Sequence, residues 1–153
     1  MAFFTLKKRR VWIWKAYCRT TKQLIDWECG ARNAETFRKM YERLKKWNVK
    51  VFFSDRYSVY RDFIPPRCLI QTKSETHLIE SNNFPQRHWF ARFRRKTCCV
   101  SRSIEMIDLT MFLYAAFHVN KSIDTARHQI SFLPNLNFLY INIMVFQKKH
   151  KYF

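Results

Sequence analysis

Between Arg9 and Ser54 the apolar residues change period, and that change limits what the chain can fold into. "RRVWIWKAYCRTTKQLIDWECG" alternates and is rich in aromatic and branched residues. It predicts two strands, 11–18 and 23–29, joined by a turn at Thr20–Lys22. "ARNAETFRKMYERLKKW" follows, with Phe37, Met40, Tyr41, Leu44 and Trp47 at helical spacing. Asn33 is placed to cap that helix, Glu35 falls in its first turn, and Lys45 and Lys46 fall in its last, as the helix dipole favours. Then Val49, Val51 and Phe53 alternate with Lys50 and Phe52, a buried strand that ends at Asp55. Strand, strand, helix, strand describes an α/β fold: a mixed sheet with helices packed on it.

Downstream, "DRYSVYRDFIPP" predicts a turn and a short helix stopped by Pro65–Pro66. "RCLIQT" predicts a short strand. A helix is expected from Glu75 to about Ile104, interrupted near Pro85, and another over 103–120. The chain holds a single Gly, so tight turns are expected from Asn, Asp and Pro. The tail, 121–153, is divergent, hydrophobic and basic, and reads as separate from a domain at 1–120. Its uncharged run "ISFLPNLNFLYINIMVF" is broken by Pro134, Asn135, Asn137 and Asn142, which makes a poor membrane span.

Lys and Arg number 29 against 11 Asp and Glu, a formal charge of +18, while hydrophobic residues make up 48%. A core can form, and the excess charge calls for a polyanionic partner, nucleic acid before an anionic membrane. The five cysteines include no CxxC pair, and no His stands at finger spacing from them, so a zinc site is not expected. An odd cysteine count, with an opening that does not read as a signal sequence, suggests a reduced intracellular protein. Cytoplasmic, nucleoid-associated placement is the expectation.

A core strand has no packing use for a carboxylate at its end, so Asp55 invites explanation. By itself it could cap the next helix. Glu80 falls in a predicted helix, where it could be a solvated acid, and Arg87 follows seven residues later, two turns on and nearly the same face. Two carboxylates can share a pair of divalent metals that activate the attacking oxygen and stabilise the leaving one in phosphoryl transfer on DNA. An arginine can hold a phosphate through two hydrogen bonds. "RHWFARFRRK" interleaves Arg87, Arg92, Arg94, Arg95 and Lys96 with Trp89, Phe90 and Phe93. This reads as an amphipathic helix whose cationic face can meet phosphates.

In "VWIWKAYCR", "SDRYSVYRDFIP", "KSETHLIESNN" and "RFRRKTCCVSRSIEM" the chain resembles the catalytic region of insertion-sequence-one transposases, over roughly 11–119. The resemblance implies a DDE-type enzyme on an RNase H-like mixed sheet with flanking helices, acting on transposon ends and target DNA with Mg2+ or Mn2+. It takes no small-molecule substrate, and a homo-oligomer is possible. Asp55 matches the family's second aspartate, Glu80 its glutamate, and Arg87 its basic residue; Asp55 and Glu80 would be the metal ligands. Asn82 and Asn83 of "ESNN", with Arg92, Arg94, Arg95 and Lys96, are the expected DNA contacts.

The family's first aspartate sits on a strand before "VWIWKAY", where this chain has "MAFFTLKKRR". Its first acid is Asp26, on the wrong strand for that role. The expectation is a truncated copy, without the first catalytic strand, that binds DNA but does not complete the reaction. The alternative is a remnant that only binds.

Overall fold

A computed structural model describes residues 9–47, 49–72, 77–93, 101, 103–121 and 142–152, and for 9–10, 77–80, 82 and 142–152 the backbone alone. Strands β1 (Arg9–Cys18) and β2 (Leu24–Gly30) pair antiparallel. Their turn is made by Lys22 at φ 57°, a left-handed residue that is neither Asn, Asp nor Pro. Helix α1 (Ala34–Lys45) starts at Asn33, whose side chain accepts the Thr36 N–H. The chain's glycine, Gly30, lies against that first turn: an added Cβ would stand 2.8 Å from the Thr36 side chain.

β3 (Val51–Ser54), α2 (Val59–Phe63) and β4 (Leu69–Gln71) follow, with a 3-10 turn at Pro66–Cys68. β4 lies parallel to β3. α3 (His77–Trp89) runs on through Pro85, and regular helix ends after Trp89, giving way to a 3-10 turn at Ala91–Phe93. The expected interruption at Pro85 is therefore displaced. Pro85 removes only the bond to the Ser81 carbonyl, and Ser81 lies on the exposed side of α3. α4 (Ile104–Tyr114) is capped by the Ser103 hydroxyl, which accepts the Met106 N–H, and continues as a π-helical turn to Val119.

Residues 142–152 of the tail join the sheet. β5 (Asn142–Tyr152) runs between β1 and β3, so the strand order is β2-β1-β5-β3-β4. It pairs antiparallel with β1 from Arg9↔Tyr152 to Cys18↔Ile143, and parallel with β3 from Val51↔Asn142 to Ser54↔Val145. A boundary at residue 120 thus separates stretches of sequence whose strands share one sheet.

Helices cover both faces. Trp14, Ala16 and Cys18 of β1 and Phe52 of β3 pack with Phe37, Met40 and Leu44 of α1 and Tyr60 of α2. Ile13 and Tyr17 of β1, Trp27 of β2 and Phe53 of β3 pack on the other face with Ile107, Met111 and Tyr114 of α4. That is why Phe52 and Phe53, adjacent on β3, are both buried. Each such side chain contributes about 1.5–3 kcal/mol of burial. Asp26, one of the few buried charged residues, accepts from Arg43 Nε of α1 at 2.7 Å. Its role here is to tie the helix to the sheet. Among the described residues no helix is long and apolar enough to cross a membrane.

Candidate catalytic and nucleic-acid site

Asp55 follows the last residue of β3, inside the sheet, as its sequence position predicts. Its Oδ1 accepts the Tyr57 N–H at 3.2 Å. Gln71, at the end of the neighbouring β4, donates to the Asp55 carbonyl at 2.9 Å and the Tyr57 carbonyl at 3.3 Å. The loop is therefore held from the adjacent strand. Burial pushes the Asp55 carboxyl up from its ordinary value, and neither the Tyr57 N–H nor the Arg32 charge offsets it. Arg32 is itself occupied by ring faces, 4.3 Å from the Tyr57 centroid and 4.9 Å from that of Trp12. The carboxyl therefore keeps its proton to higher pH than an exposed one.

Glu80 and Arg87 lie on α3, and Arg87 is half-buried. The Glu80 side chain, and with it the expected Asp55–Glu80 separation, lies outside the described residues. What fixes α3 is a residue to which the sequence pattern assigned no role. Lys15, mid-strand on β1, is completely buried. Its ammonium donates to Asn83 Oδ1 at 2.8 Å and to Gln86 Oε1, and stands 5.8 Å from the Tyr114 ring centre. The readable signal was a lysine at an inward position of an alternating strand, between Ile13 and Tyr17. Gln86 Nε2 in turn donates to Met111 Sδ, which joins α3 to α4.

These contacts correct one expectation. Asn83 is buried and accepts from Lys15, so it faces the sheet and is not placed for DNA. Asn82 lies on α3, with its side chain outside the described residues. Arg92 is half-buried and donates to the Ser101 hydroxyl at 3.1 Å. Arg94, Arg95 and Lys96 lie outside the described residues. Among those that are described, no group of three His, Cys, Asp or Glu could hold a metal ion. The described donors around Asp55 do not complete a metal site.

A family model described as IS1 transposase matches residues 1–121. The chain is 30% identical over 118 residues to insertion element iso-IS1n protein InsB of Shigella dysenteriae, covering 77% of this chain and 90% of that protein. It is 28% identical over 102 residues to insertion element IS1 protein InsB of Shigella flexneri, covering 67% and 78%. With an IS1 2 protein InsB of Escherichia coli the identity is also 28%, covering 67% of this chain and 61% of the relative. No solved structure matches it. The matched span takes in Asp55, Glu80, Arg87 and the basic run after them, and the chain belongs to the IS1 transposase family.

Proposed function

We propose that this chain acts in DNA transposition, as a DDE-type catalytic region on an RNase H-like sheet, and that alone it binds DNA without completing strand transfer. The sheet order supports the fold: β2, β1 and β5 are antiparallel neighbours, and β5, β3 and β4 are parallel. In this reading residues 1–120 form the catalytic region. β5 takes the place beside β1 that the family's preceding strand would fill. Asp55 and Glu80 are the metal carboxylates, and Arg87 holds a phosphate.

The observation that carries the reading is Asp55: a carboxylate at the end of an interior strand, its pKa raised by burial, inside the family-matched span. Mg2+ or Mn2+, when bound, would supply activation of the attacking oxygen and charge stabilisation of the leaving one. The protein's own residues do the positioning. Gln71 fixes the Asp55 loop from β4, and Lys15 fixes α3 from β1. Binding without completed transfer rests on the metal donors: among the described residues no group of three His, Cys, Asp or Glu could hold a metal ion. Residues 1–25 contain no Asp or Glu, and neither does β5.

Salt-dependent binding to a mixed-sequence duplex tests this. Affinity should fall steeply with salt, and replacing Arg92, Arg94, Arg95 and Lys96 by Ala should reduce the slope by roughly 0.9 for each phosphate no longer neutralised. Absence of duplex binding by the intact chain would overturn the reading. An unchanged slope would move the DNA contacts elsewhere, to Lys7–Arg10.

A further inference from the structure

We infer that the outer side of α3 and the turn after α4 form a stacking platform for unpaired nucleobases of single-stranded DNA; this rests on the DNA-binding reading above. Phe84 and Trp89 are 65% and 60% exposed, unusual for large aromatics on a helix that also has a core-facing side. Their rings belong to a connected series. Phe84 stacks with His88 at 6.4 Å between centroids and 19° between planes. His88 meets Trp89 edge-on at 5.2 Å. Trp89 stacks on His118 at 4.9 Å and 21°. The sheet-facing side of the same helix is taken by Asn83 and Gln86, so these rings are not displaced core.

Two observations select the occupant. The first is position. At about 100° per residue, Glu80, Phe84, Arg87 and His88 fall within a ~100° arc of α3. The exposed Phe84–His88 pair therefore lies beside the candidate acid and the candidate phosphate-holding arginine. The second is charge. No Asp or Glu occurs from Ser81 through Ile104, and the stretch carries Arg87 and Arg92 among its cations. Ring faces next to cations suit a nucleobase and its phosphate, since every base presents a π-face. An aliphatic protein partner would use neither.

The test uses the full chain and two probes at matched salt: an oligothymidylate of about 20 nucleotides, longer than a typical ~4–16-nucleotide site, and a duplex of the same length. Phe84→Ala with Trp89→Ala should weaken oligothymidylate binding on the order of tenfold or more, while the duplex Kd changes less than about twofold. Trp89→Phe should keep most of the single-strand affinity. Both replaced side chains are mostly exposed, so the melting temperature should fall by only a few degrees, the loss of their ring contacts with His88 and His118. Equal losses on both DNAs, or no loss on either, would overturn the platform and leave the DNA-binding reading standing. So would dissociation of an oligomer by the double variant, which would assign the rings to a protein contact. Failure of the wild type to bind any DNA would overturn both.

Discussion

Arg43→Met asks what Asp26 is for. Arg43 reaches from α1 across β2, with Nε 2.7 Å from Asp26 Oδ2 and Nη1 2.8 Å from Glu28 Oε2. Its Nη2 also donates to the Trp27 carbonyl at 3.1 Å. The Asp26 side chain is 7% exposed, so removing the guanidinium leaves a carboxylate that water reaches poorly. Breaking a fully buried pair from one side costs about 3–5 kcal/mol. Arg43 is 37% exposed, however, and solvent screens part of the interaction. We expect about 2–3 kcal/mol, a large share of the ~5–15 kcal/mol that holds a domain together. At roughly 2–4 °C per kcal/mol the melting temperature should fall by about 4–12 °C. Arg38→Met, on an exposed position of the same helix, should change stability by less than about 0.5 kcal/mol. Adding Asp26→Asn to Arg43→Met should recover much of the loss, because the carboxylate stranded at position 26 is then uncharged. Should Arg43→Met prove as mild as Arg38→Met in thermal and urea melts, Asp26 is not a structural acid. It would then return as a candidate for the third carboxylate.

Asp55→Asn should stabilise the fold at neutral pH. A carboxyl whose folded pKa is raised is most favourable below its unfolded pKa and loses stability as pH rises through the folded value. The gap between variant and wild type should therefore open in the acid range and stay constant above it; a variant less stable at pH 7 in thermal melts would contradict this. Lys15→Ala should cost about 3 kcal/mol or more, since it removes a buried donor from Asn83 and Gln86, and a denaturant midpoint unchanged from wild type would refute the α3 tie. Val145→Pro should disrupt the pairings at Ala16 and Ser54 together and speed amide exchange in both β1 and β3; protection retained in either strand would place β5 outside the sheet. Asn33→Ala and Ser103→Ala should each cost about 1 kcal/mol by equilibrium unfolding, because each removes an N-cap.

The local fold was readable where the period was clear. The β1–β2 alternation, the α1 spacing with its Asn33 cap, and the strand stopping before Asp55 all follow from side-chain pattern. The contribution of β5 was not readable. "NIMVFQKKHKY" begins inside the run broken by Pro and Asn, and what makes it a strand is the pair of open edges on β1 and β3, a tertiary demand that no local pattern carries. Lys15 was visible as an inward lysine, but its partners Asn83 and Gln86 are 68 and 71 residues away in sequence. Asn83 was assigned to DNA from the "ESNN" resemblance, yet helical geometry turns it to the sheet, a quarter-turn and more from Phe84. The place of Asp55 after β3 was legible because the apolar run of the strand stops there.

Cleavage of a labelled duplex carrying an element end tests the central claim most directly. The purified chain with Mg2+ or Mn2+ should bind that duplex and yield no strand-transfer product, indistinguishable in product from the Asp55→Ala, Glu80→Ala variant. Metal-dependent product from the wild type, lost in that variant, would contradict the account and show that a third ligand completes the site.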